Sequence, residues 1–255
     1  MLTSALVLWC VGILLESLIL FRAITTPIVR TYPFFCLYLF CVLAGDLLLF
    51  WLYRFSTVSV YKHVYWTKEF ICVLAGYCVV LEIVQRALGS CEGLKKFAAY
   101  VGLVVFGLIV GFTALEGLVY RGSQILLTTV EVERNLRSAE LVFLALIIAL
   151  ISYYAIPVGR NLKGIIVGYG LCVATVVLDH AAQSYTGSYK PLFTTVLSYS
   201  YFFSLLVWIF CLWSYHPNPV PAASTHLTED YGELVNSTRE AIDSVRGHLG
   251  TAARS

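Results

Sequence analysis

The stretch 33–53, PFFCLYLFCVLAGDLLLFWLY, decides the fold, because it carries one charge, Asp46, in a run that is otherwise apolar or aromatic. A helix of about 20 residues rises about 30 Å, the thickness of a bilayer's hydrocarbon core. Six further runs of this kind lie around it, giving spans at 2–21, 33–53, 66–86, 97–119, 136–156, 164–183 and 192–214. Inside lipid a backbone must satisfy its own hydrogen bonds, so such runs specify helices. The expected fold class is all-α: a polytopic membrane protein of seven transmembrane helices, residues 1–215, followed by a tail, residues 216–255, with a C-terminal amphipathic helix.

The composition agrees with that class. Of 255 residues, 59% are hydrophobic and 13% charged, against about 25% charged in soluble domains. The net charge of +2 comes without any basic block, so nucleic acid is excluded as a partner and the lipid bilayer is expected to surround the chain. Cys10, Cys36, Cys41, Cys72, Cys78, Cys172 and Cys211 all lie in apolar runs, and only Cys91 falls in a connection. No C-x-x-C pair occurs, so these thiols are expected to pack as small apolar groups, with no metal and no cofactor. The first residues lack a positive n-region, and Glu16 interrupts the run, so a cleaved signal is not expected.

The breaks between runs have their own chemistry. Pro27 and Arg30 separate the first two, and Arg54 to Tyr65 reads as an aromatic and basic connection near headgroups. Gly89, Gly93, Lys95 and Lys96 separate helices three and four. Thr128 and Glu131 have the spacing of a capping box, with Glu133 and Arg137 as a surface pair, so 128–137 reads as wet turns feeding helix five. Pro157 and Gly159 end that helix, 160–163 form a turn, and Gly164 opens helix six. Gly107-xxx-Gly111 and Gly164-xxx-Gly168 read as packing seams within one molecule.

Beyond Trp213, three prolines between His216 and Pro221 give a stiff exit. Leu227, Tyr231, Leu234, Thr238, Ile242, Val245 and Leu249 then recur at helical spacing, marking an amphipathic helix over 227–249. Its polar face holds Glu229, Asp230, Glu233, Glu240 and Asp243 against Arg239 and Arg246. Anchors that lie on anionic membranes are usually basic, so this face points to a protein partner or self-association.

Several chemistries are excluded by residues that are missing. The span 192–214 has no lysine for a retinal Schiff base, only His180 lies within a span to ligate haem, and no HExxH occurs. Ala44-Gly45-Asp46 lacks the first glycine of an intramembrane aspartyl protease motif, so no enzyme is expected. The positive signal is a set of acids in the spans: Glu16, Asp46, Glu82, Glu116 and Asp179, with Glu69 near a boundary. Each costs about 2.5–3.5 kcal/mol at mid-membrane and should face the bundle. Glu82 precedes Arg86 by one turn and Glu16 can reach toward Arg22, so those two read as structural. Asp46, Glu116, Asp179 and His180 lack such local partners and form the candidate ligand- or proton-binding set. In helix six, Gly164, Gly168, Cys172, Thr175, Asp179 and Gln183 share one face, a small-to-polar stripe expected to look inward.

The stretch 137–171, with Ile151-Ser152-Tyr153-Tyr154 and Pro157 to Gly164, resembles segments of uncharacterised multi-span bacterial inner-membrane proteins. That resemblance implies a place in the cell membrane and no function. The residues themselves support a sensor or receptor reading, with a small solute or proton-coupled transporter and a membrane scaffold or assembly subunit as alternatives. No internal 3+3 repeat is visible, which weighs against the transporters built that way. Basic residues in alternate connections tie at seven against seven when Lys68 is counted as flanking. The lack of positive charge before span one favours an outside N-terminus and a cytoplasmic tail.

Overall fold

The computed structural model describes residues 2–89, 125–185 and 190–217, with positions 93, 95, 96, 100–105, 107, 108, 111, 236 and 239 between and beyond them. The helices are α1 (Leu2–Thr25), α2 (Ile28–Thr31), α3 (Pro33–Phe55), α4 (Val58–Ala87), α5 (Ile125–Tyr153), α6 (Arg160–Tyr185) and α7 (Lys190–Leu212). Among the described residues all regular structure is helical, and 6 helices are long and apolar enough to cross a membrane. Span 97–119 lies largely outside the described residues, as do Cys91, Glu116 and all of the tail helix except Asn236 and Arg239, both exposed.

The six long helices close a ring in the order α1, α3, α4, α5, α6, α7 and back to α1. Side-chain contacts give the directions. Asp46 meets Lys68 and Phe35 meets Glu82, so α3 and α4 are antiparallel. Glu69 meets Arg137 and Gly76 lies against Glu140, so α4 and α5 run parallel. Thr175 meets Ser200 while Gly168 lies against Trp208, which sets α6 and α7 antiparallel. Leu14, Phe21, Phe50, Trp51, Leu146 and Phe210 are exposed on the outer surface, where lipid rather than water would suit them.

Helix lengths depart from the sequence reading for local reasons. Helix α4 starts at Val58 rather than at residue 66, because only Ser56 and Thr57 break the chain and nothing in 58–65 stops a helix. Thr128 and Glu131 lie inside α5 instead of capping it, and Arg137 is buried instead of forming a wet surface pair. Helix α6 already begins at Arg160, four residues before Gly164. There Gly164 and Gly168 admit Cys211 and Trp208 of α7 where any Cβ would collide, so this motif is a seam within the molecule.

One end of the ring is closed tightly. Glu82, 3% exposed, accepts from the backbone N–H groups of Phe34 and Phe35 at 3.3 and 2.9 Å and so caps α3. That replaces the expected Glu82–Arg86 pair; the Arg86 guanidinium lies over the Tyr32 ring. Asn161 donates to the carbonyls of Cys211 and Ser214, both at 2.9 Å, and accepts from the His216 N–H. Arg160 donates to the Phe210 carbonyl and Arg22 to that of Trp213. The last carbonyls of α7 are thus satisfied by side chains of α1 and α6. Helix α5 ends in a Schellman turn, with Ala155 at φ 47° and the Ile156 N–H reaching the Ile151 carbonyl at 3.0 Å.

Candidate functional site

Toward the other end, the face that holds the start of α1, the ring opens into a cavity of about 550 Å³. Its walls come from α3, α4, α5, α6 and α7. The interior is crossed by a chain of alternating charges. Asp46 lies 3.1 Å from the Lys68 ammonium, which lies 3.1 Å from Glu69. Glu69 faces Arg137 at 3.8 Å, and Arg137 reaches Glu140 at 3.4 Å. The Tyr169 hydroxyl ends the chain by donating to Glu140 at 3.0 Å. Three helices therefore supply five charges in the order minus, plus, minus, plus, minus.

The arrangement answers the cost of charge in a low dielectric. Glu140 is 0% exposed, and a lone carboxylate there would cost several kcal/mol, whereas pairing and hydrogen bonding offset much of that. Gly76 is what lets the chain close, because a Cβ at that position would strike the Tyr169 hydroxyl. The pairing is still incomplete. The Arg137 side chain is 7% exposed, and its Nε, together with Glu140 Oε1, has no hydrogen-bond partner. Both atoms are fully enclosed, so this end of the chain keeps an unmet hydrogen-bonding demand inside the bundle.

Below the chain the cavity is floored by aromatic rings. Tyr38 stands edge-on to Tyr169 at 5.4 Å, and Phe35 edge-on to Trp208 at 5.2 Å, all four buried. This layer and the capped end beneath it close the bundle toward the opposite face. A second buried acid sits behind the wall: Glu16, 0% exposed, accepts from the Tyr201 hydroxyl at 2.5 Å, and Tyr201 lines the cavity. Glu16 therefore partners α7 rather than Arg22, which is engaged with Trp213.

Of the candidates named from sequence, Asp46 and Asp179 both line this cavity, from α3 and α6 on opposite sides of the ring. Asp46 is not without a partner as expected, since Lys68 reaches it from the neighbouring helix. Glu116 and the side chain of His180 lie outside the described residues. On the α6 stripe, Cys172, Thr175 and Asp179 line the cavity, while Gly164 and Gly168 serve the α7 seam. Sequence reading missed Lys68, Arg137 and Glu140. The first two were assigned to connections, and the Arg137–Glu140 spacing of three inside an apolar run was the signal that could have found the third. Among the described residues no group of three metal-ligating side chains occurs.

No family model matches the chain, and neither a curated protein nor a solved structure matches it.

Proposed function

We propose that this chain is a non-enzymatic, seven-span integral membrane protein of the sensor or receptor type, which binds a small charged ligand in its cavity and engages a partner through its tail. One observation carries the reading: Asp46, Glu69 and Asp179 share a cavity of about 550 Å³ with Lys68 and Arg137, in a bundle of helices long and apolar enough to cross a membrane. Intramembrane charges of this kind mark ligand or ion sites by default. The seventh span is supported by chain direction. Helix α4 ends on the capped face and α5 begins on the other, as a span at 97–119 between them would require. The helical segment 100–105 lies on that route, with Gly102 against Leu81 and Phe143 and its carbonyl accepting from Tyr77.

The same residues bear on orientation. Lys68 and Arg137 belong to the buried chain of charges, not to connections. That leaves Arg54, Lys62, Arg121, Arg134 and Lys190 in the connections that the sequence assigns to the N-terminal side, against seven basic residues in the others. The positive-inside rule then supports an outside N-terminus and cavity mouth, with the tail in the cytoplasm of a cell membrane. The receptor reading is favoured over a carrier because the closed end is locked by Glu82 and Asn161. A thermal-shift screen of small charged solutes on the nanodisc-embedded protein tests this. At least one solute should stabilise the wild type but not the Asp46→Asn/Asp179→Asn double variant, and proteoliposomes should not accumulate it. Accumulation would make the protein a carrier, and stabilisation of both forms would remove the cavity from the account.

A further inference from the structure

The capped end of the ring carries a patch of positive charge gathered around the point where the chain leaves α7. Arg22 and Arg160 donate there to the carbonyls of Trp213 and Phe210 and lie over the same residues' rings. Thr31 meets Tyr215, which sets α2, with Arg30, beside this exit, and Arg86 lies over Tyr32 just beyond α2. Asn161 holds Ser214 and His216, which brings in Lys163 from the first turn of α6. Arg30, Arg86, Arg160 and Lys163 are exposed. Among the described residues the one acid at this end is Glu82, which is buried and engaged with the backbone of α3.

We propose that the acidic face of the chain's own segment 227–249 docks on this patch. Read as an amphipathic helix, the segment carries Glu229, Asp230, Glu233, Glu240 and Asp243 against Arg239 and Arg246, three negative charges in excess. Helical spacing sets those acids opposite the seam of Leu227, Leu234 and Ile242. An anionic leaflet would repel that face, whereas the end of the bundle offers it cations. Ten residues, 217–226, join the segment to the exit, and at about 3.1 Å per residue in proline-rich chain they reach about 30 Å. A helix over 227–249 is about 35 Å long and can lie across a ring whose neighbouring axes are about 10 Å apart. Exposed ion pairs are individually weak, but a short tether holds the two faces at millimolar effective concentration, so a few suffice. This rests on the tail reading above and deepens it: the bundle holds the acidic face and leaves the apolar seam for the partner.

Spin labels at Thr25→Cys, exposed at the end of α1, and at Ser237→Cys read the tail's distance from the patch by electron–electron double resonance. The full chain, its native cysteines replaced by alanine, is held in phosphatidylcholine nanodiscs. At 10 mM salt, where the Debye length is about 30 Å, the distances should form one narrow peak; at 1 M, where it is about 3 Å, they should spread. Arg30→Glu/Lys163→Glu should lower the ratio of docked to free tail about tenfold, and so should Glu229→Lys/Glu233→Lys, which cannot disturb the bundle. The two reversals combined should restore most of that ratio. A broad distribution at low salt, a peak indifferent to both reversals, or a combination that restores nothing would overturn the proposal. So would a peak lost on dilution with unlabelled chain, which puts the tail on a second copy, or one lost when phosphatidylglycerol enters the disc, which gives the patch to lipid. In each of those cases, crosslinking through the seam of the wild type leaves the partner reading standing, and its absence removes that reading too.

Discussion

Removing Arg137 tests whether the buried charges act as one unit. Arg137→Met keeps an unbranched side chain of similar reach and deletes the guanidinium that faces Glu140 at 3.4 Å and Glu69 at 3.8 Å. Glu140 is then left 0% exposed with the Tyr169 hydroxyl as its one remaining charge-compensating contact among those described. Breaking a buried pair from one side costs about 3–5 kcal/mol, because the surviving charge stays desolvated. Replacing both, as Arg137→Met/Glu140→Leu, removes the stranded charge, so the double variant should recover most of that loss. The coupling, read by equilibrium unfolding in lipid bicelles, should therefore amount to about 2 kcal/mol or more. If Arg137→Met costs less than about 1 kcal/mol, the pair behaves like an exposed one and the chain of charges is not an energetic unit. A double variant that loses the sum of both single losses would refute the coupling equally well.

Glu82→Ala uncaps α3 at Phe34 and Phe35 and should cost about 2–4 kcal/mol in the same unfolding assay, with Glu82→Gln retaining about half. Ala155→Gly relieves a left-handed residue at φ 47° and should stabilise the protein by up to about 1 kcal/mol; destabilisation would show that this turn is not strained. Gly168→Leu forces α6 and α7 apart at Trp208 and should lower both stability and the near-ultraviolet circular dichroism of the aromatic floor. In the tail, Leu234→Asp with Ile242→Asp should abolish crosslinking through 227–249 while the bundle stays inserted; unchanged crosslinking would reduce the tail to a solvated extension.

The helical architecture was legible because apolar runs of about 20 residues, such as 33–53 and 192–214, have the length and composition of helices able to cross a membrane. Asp46 and Asp179 stood out for the converse reason, as charges with nothing nearby in sequence to answer them. What was hidden depends on partners brought together from distant helices. Lys68 and Arg137 fall just inside the starts of the windows read at 66–86 and 136–156, so they were counted with the neighbouring connections rather than with the interior. The helices run on past those windows and carry both charges into the interior. Glu82 and Glu16 were misread for a related reason. A local arginine explains either acid at the level of one helix, whereas the folded bundle offers a helix N-terminus to one and Tyr201 to the other.

The central claim is a charged cavity that opens to the face holding the N-terminus and is closed toward the tail. Thr175 lines that cavity from α6 and is largely buried against the rest of the bundle. Thr175→Cys, in a chain whose native cysteines are alanine, can be treated with a membrane-impermeant cationic methanethiosulfonate in intact cells and in inverted vesicles. The account predicts labelling from the outer side alone. Labelling from the cytoplasmic side, or none from either, would contradict it.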